Sequence, residues 1–335
     1  MSAELLVIHT GGTIGMMPGP AGLEPVQGFE RMVRERLGAR LGALPTFDFI
    51  ELEPLIDSAE LSPGHWAQLV ALIEQHLVQY RGIVILHGTD TLAYTAAALS
   101  FMLAGLDRPV ILTGSQIPLH NSRNDAEGHL LGALELAARP EIHEVAIYFN
   151  GRLLRGNRAT KMDAGAMAAF DSPNFPELAT LGIDLALNEQ LLLPAGTPQF
   201  SVATCDADSV AVLRLFPGLS AGQLQAMLGQ AHCRALILQC YGVGNAPVSQ
   251  PGWLETLEAA VAAGKVVVNI SQCYRGAVVP STYATGSALE RAGVIAGNDM
   301  TLEAAFGKLH WLLAAGHSAA EIAGLMQRSI CGEMS

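Results

Sequence analysis

Charge is scarce in this chain of 335 residues: only 15% are Asp, Glu, Lys or Arg. Basic charge is scarcer still, with 19 Lys and Arg against 31 Asp and Glu and a formal net charge of −12. Nucleic acids are held by clustered cations that neutralise phosphates, so no nucleic-acid partner is expected. Half of the residues are hydrophobic and the mean hydropathy is +0.32, which excludes a disordered chain. Long hydrophobic runs are missing as well. The longest near-apolar stretch, residues 92–106, is broken by Tyr94, Thr95 and Ser100. It is too short and too polar to span a bilayer, so no membrane partner is expected. No basic stretch followed by an apolar one opens the sequence, as a secretory leader requires. The five cysteines are odd in number and never stand as Cys-x-x-Cys, and no His-Glu-x-x-His occurs. Neither a metal site nor a disulfide framework is expected, and the cytoplasm suits such thiols best.

What the chain does have is a recurrence of short Val- and Ile-rich runs: residues 5–9, 83–86, 110–112, 145–149, 235–238 and 266–270. Continuous apolar runs bounded by Gly, Thr and Asn are the pattern of strands buried on both faces. Helical periodicity lies between them. In residues 65–80, Trp66, Leu69, Val70, Ile73, Leu77 and Tyr80 recur at spacings of three and four, and Ser62-Pro63 supplies an N-cap and an N1 proline. Ser220 with Gln223, and Ser318 with Glu321, have the spacing of capping boxes. Strands alternating with helices predict an α/β protein built on mainly parallel sheets. Pro194, Gly196 and Pro198, followed by Asp206 and Asp208, mark a linker at 191–209. It separates a larger α/β domain, 1–190, from a smaller one, 210–335.

Ligands of open parallel sheets bind beyond the carboxyl ends of the strands. Residues 5–9 run into Thr10-Gly-Gly-Thr-Ile-Gly15, where two glycines allow a sharp turn and leave Thr13 on a loop. The spacing is neither that of a dinucleotide fingerprint nor that of a P-loop. Residues 83–86 run into His87-Gly-Thr-Asp-Thr91, in which Asp90 or Thr91 can simply cap the following helix. Taken alone, each is an ordinary turn. Two Gly-Thr loops at two strand ends would meet at one site, and two threonines with a carboxylate suit acyl transfer. A third segment, Arg152 to Lys161, carries three arginines and closes on one of only three lysines in the chain. Arginine does not lose its proton and a desolvated lysine can, so Lys161 stands out from what otherwise reads as a solvated basic loop. Asp57 to Glu60 reads as turn chemistry, and His9 and His87 as packing or hydrogen-bonding groups near strand ends.

Together, Thr10-Gly-Gly-Thr-Ile-Gly15, Asp57-Ser58, His87-Gly-Thr-Asp-Thr91, Thr113-Gly-Ser-Gln116 and Arg155-Gly-Asn-Arg-Ala-Thr-Lys161 resemble the asparaginase family. The resemblance is closest to the bacterial cytoplasmic type I L-asparaginases and runs nearly end to end, through 241–247 and Tyr283-Ala-Thr-Gly286. It implies two α/β domains, a homodimer or homotetramer, no metal or organic cofactor, and hydrolysis of L-asparagine to aspartate and ammonia. Thr13 matches the family's nucleophile, and Thr89, Asp90 and Lys161 its second catalytic group. Asp57, Ser58, Ala59, Thr89 and Asp90 match substrate-holding positions, Ser115 a pocket-lining one, and Asn245 a loop that approaches the site from a neighbouring subunit. Two positions depart from the pattern. Leu23 stands where the family carries a tyrosine on the loop after the nucleophile, and no tyrosine precedes Tyr80. Gln239 stands where type I enzymes with an allosteric asparagine site carry an arginine, although Thr160 and Cys273 match other residues of that site. A glutaminase-asparaginase, another amidase, or a weakly catalytic amino-acid-binding relative are the alternatives, separated by ammonia release from the two amides.

Overall fold

The computed structural model describes residues 3–20, 22–201, 203–280 and 284–335; Tyr283, within the 283–286 segment, lies outside them. The chain forms two compact units, Met1–Val202 and Ala203–Ser335. Gly196, Gln199 and Ser201 donate backbone N–H groups to Leu106, Ala104 and Met102. The proline-containing stretch 194–201 therefore lies along the first unit.

The first unit is built on one eight-stranded sheet. Its strands are β1 (Leu5–His9), β2 (Phe47–Glu51), β3 (Gly82–Leu86), β4 (Val110–Thr113), β5 (Val145–Phe149), β6 (Arg152–Arg155), β7 (Ala179–Leu181) and β8 (Leu185–Leu187). They lie in the order β8-β7-β6-β5-β4-β3-β1-β2. The five strands from β5 to β2 are parallel, and β6, β7 and β8 add an antiparallel edge. Helices α1 (Phe29–Leu37), α2 (Pro63–His76), α3 (Leu92–Met102) and α4 (Ala126–Ala137) connect the parallel strands. Leu5, Val7, Val84, Leu86 and Ile111 join Phe29 and Val33 of α1 and Leu130 and Leu134 of α4 in one core. The alternate residues Leu6, Ile8, Ile83 and Ile85 are equally inaccessible, on the face where α3 crosses β4 and β5. Burial on both faces is why these strands read as unbroken apolar runs.

β2 escaped the sequence reading because it is an edge strand. Phe-Asp-Phe-Ile-Glu alternates and stays half-exposed, so it shows no continuous run. Helix α2 begins as expected, with Pro63 at N1 and the Ser62 N–H donating to Nδ1 of His65 at 3.0 Å.

The second unit carries four parallel strands, β9 (Val210–Arg214), β10 (Ala235–Cys240), β11 (Val266–Ser271) and β12 (Ile295–Ala296), in that order. Along β10 the pleat divides the side chains. Ala235 and Ile237 enter a core with α8 (Leu302–Ala314) and α9 (Ala319–Met326). Leu236, Leu238 and Cys240 enter another with α5 (Ala221–Leu228) and α6 (Trp253–Ala262), beside Leu289 of α7 (Ala284–Arg291). Both expected capping boxes are present, Ser220 with Gln223 and Ser318 with Glu321. The α/β class with mainly parallel sheets, larger first unit and smaller second, is confirmed. Among the described residues no helix is long and apolar enough to cross a membrane.

Candidate active site

The strand order β2-β1-β3-β4-β5 reverses direction between β1 and β3, and such a switch point opens a crevice at the carboxyl ends. The loops after these two strands carry Thr13 and Thr89. They touch through glycine. A Cβ on Gly12 would stand 2.3 Å from both N and Cα of Gly88, and one on Gly88 would stand 2.4 Å from Oγ of Ser58. Gly11 lies as close to Ile56, so the loop after β2 joins the other two. Gly11 and Gly12 also hold φ of 123° and 86°, which an L side chain resists. Thr13, Thr89 and Ser58 are thereby gathered at one place by backbones that approach without side chains between them.

Thr13 opens a 3-10 turn, Thr13–Gly15, whose N-cap Gly12 has no side chain to donate to. The first N–H groups of such a turn have no partner within it.

Thr89 and Asp90 meet Lys161. The ammonium Nζ donates to Thr89 Oγ1 at 2.9 Å and to Asp90 Oδ1 at 2.7 Å, across 72 and 71 residues of sequence. Asp90 does not cap α3. Thr91, at the N-cap position, makes no cap bond either; its hydroxyl donates 2.8 Å to the Ser58 carbonyl. The helix start is left without a side-chain cap because both side chains serve the loop.

The segment leading to Lys161 differs from the solvated basic loop of the sequence reading. Residues 152–155 form β6, and Lys161 lies in a two-residue strand, Thr160–Lys161, paired with Phe170–Asp171. Arg155 and Arg158 are buried. Arg155 Nε donates to Glu144 Oε2 at 2.6 Å, Arg158 donates to the Asn174 carbonyl at 2.8 Å, and both guanidinium groups lie over the Phe175 ring. These arginines are paired inside the fold because an unpaired buried charge costs too much. They hold the segment that leads to Lys161.

The remaining residues of the first unit support this cluster. Asp57 Oδ1 accepts from the Ala59 N–H at 3.0 Å, closing the turn next to buried Ser58. Ser115 is fully buried, and its hydroxyl donates to the Ile117 carbonyl at 2.8 Å. Its neighbour Gln116 received no role from the sequence. Gln116 Nε2 donates to the carbonyls of Ala164 and Ala166, both at 3.1 Å, and Oε1 accepts from Thr89 Oγ1 at 3.4 Å. Asp125 holds that loop by accepting from the N–H groups of Gln116 and Ile117, each at 2.9 Å. Only the fold could have found these two, since their partners lie across separate loops.

His87 is a hydrogen-bonding residue, as expected. Nδ1 lies 2.8 Å from the Gly88 carbonyl, so it carries the proton, and Nε2 accepts from Thr95 Oγ1 at 3.0 Å. Thr95 in turn accepts from Trp66 Nε1 at 3.3 Å. Burial pushes the imidazole down to about 4, and the bond to Gly88 only partly opposes it. His87 stays neutral and fixes the Gly88 peptide.

Asn245, Gln239 and Cys273 belong to the second unit. Asn245 Oδ1 accepts from Thr285 Oγ1 at 2.6 Å. The Gln239 carbonyl accepts from Leu215 N–H and from Gln272 Nε2, and Cys273 is exposed. Thr160 is buried in the first unit beside Lys161.

Leu23 lies on an antiparallel hairpin, Met16–Gly19 with Gly22–Pro25, opposite Pro18. The second strand of the hairpin contacts the Thr13–Gly15 turn, and Leu23 itself is 48% exposed.

Comparison with known proteins identifies the family of the chain. The N-terminal asparaginase domain matches residues 4–193, and the glutaminase/asparaginase C-terminal domain matches 209–326. L-asparaginase 1 of Escherichia coli K12 is 43% identical over 333 residues, covering 99% of this chain and 98% of that protein. The mouse 60 kDa lysophospholipase is 38% identical over 355 residues, 99% of this chain but 62% of that protein. The crystal structure of L-asparaginase I from Vibrio cholerae superposes with a TM-score of 0.90 at 41% identity, covering all of both chains. Both domains and nearly the whole length match, and the chain belongs to the asparaginase family.

Proposed function

We propose that this protein hydrolyses the side-chain amide of L-asparagine to aspartate and ammonia, with Thr13 as nucleophile. The observation that carries the reading is the Lys161–Thr89–Asp90 cluster, set one residue beyond the Gly12–Gly88 contact that also places Thr13.

A threonine hydroxyl needs a neighbouring group to take its proton. Thr13 Oγ attacks the amide carbonyl while its proton passes through Thr89 to Lys161, whose ammonium gives one to the Asp90 carboxylate in exchange. The tetrahedral oxyanion is held by N–H groups of the Gly11–Thr13 and Gly88–Thr89 turns. The C–N bond then breaks, the network returns a proton to the leaving nitrogen, and ammonia departs. Water, placed by Thr89, cleaves the Thr13 ester and releases aspartate. Asp57, Ser58, Ala59 and Asp90 hold the substrate's amino and carboxylate ends, Ser115 lines the pocket, and Asn245 approaches from a neighbouring subunit. The assembly is a homodimer or homotetramer, and the compartment is the cytoplasm. No cofactor is required by these steps.

A steady-state ammonia assay against asparagine and glutamine, at several concentrations of each, tests the reading. Saturable release from asparagine above glutamine is the expected result. Asparagine binding without turnover overturns it in favour of an amino-acid-binding relative, for which the missing hydroxyl at Leu23 is the motive.

A further inference from the structure

The hairpin that follows Thr13 is fastened at two feet, and both rest on the last residues of neighbouring strands. His9 ends β1, Glu51 ends β2, and the two are register partners. The near foot is Gly15. It sits against the His9 ring so closely that a Cβ there would lie 2.8 Å from Cε1 and Nε2. His9 is buried, stacks 4.6 Å from Phe29, and both ring nitrogens lack a hydrogen-bond partner among the described residues. It is a steric seat. Around it the near foot is tied by Leu119 N–H to the Ile14 carbonyl at 3.1 Å, and by His120 Nδ1 to the Met16 carbonyl at 3.1 Å.

The far foot is different. Helix α1 has Gly28 as its N-cap, in the left-handed region at φ 88°, and no side-chain cap of its own. The cap comes from another strand. Glu51 Oε2 accepts from the Gly28 N–H at 2.8 Å and Oε1 from the Glu30 N–H at 2.9 Å. One further bond, Gln27 Nε2 to the Leu52 carbonyl at 3.1 Å, lies beside it. A carboxylate at a helix start satisfies orphan N–H groups and meets the positive end of the helix dipole. Both oxygens of Glu51 are used at the start of α1, three residues beyond the hairpin's last residue, Pro25.

We infer that Glu51 is a positioning residue for the reaction: its carboxylate latches the far foot of the 16–25 hairpin, and so decides how tightly the hairpin covers Thr13. This rests on Thr13 being the nucleophile beneath that hairpin. Closure of such a segment excludes water and completes a site. Weakening the latch therefore raises the substrate concentration needed for closure and leaves the chemistry of the closed state intact.

The test is Glu51→Gln in the full-length protein. The amide keeps one acceptor oxygen but turns an NH2 toward the other N–H. The expected result is a KM for asparagine raised roughly five- to twentyfold with kcat within about threefold. A second readout does not use activity. Leu23 is 48% exposed on the hairpin, so thermolysin cleavage of the Gly22–Leu23 bond, located by mass spectrometry, should quicken in the variant, and asparagine should restore protection. Gly28→Ala should act in the same direction. Open space surrounds a Cβ at that position, so only the left-handed backbone is disfavoured. A purely structural role would lower Tm and total activity without separating KM from kcat. Native cleavage, or faster cleavage with an unchanged KM, overturns the inference. If the wild type releases no ammonia, the reaction assigned above fails, and asparagine Kd by calorimetry replaces KM in the same comparison.

Discussion

Gly12 lies against Gly88 with no room for a methyl group between them: a Cβ on Gly12 would stand 2.3 Å from the Gly88 backbone. The contact joins the loops after β1 and β3 and sets the distance between Thr13 and Thr89. Gly88→Ala should therefore cost far more activity than stability. Its Cβ would meet Oγ of Ser58 at 2.4 Å and Cβ of Ser58 at 2.6 Å. A displacement on the order of 1 Å at a catalytic group can cost about 100-fold in rate. We expect that loss in kcat with a folded protein by circular dichroism. Native kcat in Gly88→Ala would show that the loops do not need this approach.

Thr13→Ala should abolish turnover and leave asparagine binding largely intact. Removing the nucleophile of a cooperating unit costs several orders of magnitude. Pre-steady-state and steady-state ammonia release on the purified variant, with calorimetric binding alongside, check this. Retention of more than about a hundredth of kcat would remove Thr13 from the role of nucleophile.

Thr89 and Lys161 share a 2.9 Å hydrogen bond, so Thr89→Val and Lys161→Met should each remove most activity, and the double variant should be little worse than either. Losses that multiply would mean that the two act separately. Lys161→Arg should also fail: the fork changes the geometry toward Thr89 and Asp90, and arginine cannot pass on a proton.

Leu23 offers no hydroxyl on the hairpin over Thr13. Leu23→Tyr should leave folding intact and raise kcat modestly. One new hydrogen bond is worth about 0.5–1.5 kcal/mol, which sets a ceiling of roughly tenfold. Leu23→Ala should raise KM by weakening apolar closure. Native kinetics in Leu23→Ala would place residue 23 outside the closed site.

Acid should destabilise the first unit through its buried histidines. Burial brings His9 and His87 from 6.5 down to about 4, opposed weakly by Glu51 at His9 and by the Gly88 carbonyl at His87. Between those values the unfolded chain binds more protons than the native one. The stability these groups contribute is present above about pH 6.5 and is lost as pH falls toward 4. The loss is about 2 kcal/mol per histidine between pH 7 and 5. Urea unfolding at the two pH values should show it, and His87→Gln should reduce the difference by that amount. An unchanged difference would mean that His87 is not neutral in the native state.

The alternation of strand and helix was legible because it rests on local rules. Two-face burial produced the apolar runs of β1, β3, β4 and β5, and Ser220 and Ser318 cap helices through residues three positions on. Thr13, Thr89 and Asp90 stood out because glycine and threonine immediately follow apolar strands, which in a parallel sheet end at the ligand crevice. The antiparallel turn of β6 was not legible. Its arginines resemble surface residues until Glu144, Asn174 and Phe175 are seen to surround Arg155 and Arg158.

The sequence by itself determined the class of fold, the starts of α2, α5 and α9 and the loops that carry Thr13 and Thr89, since all of these depend on neighbours within a few positions. Only the tertiary structure decided that Lys161 reaches Thr89 across 72 residues, that Gln116 bridges Thr89 to the 164–166 turn, and that Glu51 caps a helix beginning 22 positions earlier at Phe29. Such pairings carry no sequence periodicity. They arise when strand order brings distant loops to one edge of the sheet, where hydrogen-bond geometry and the cost of unpaired polar groups select the partners.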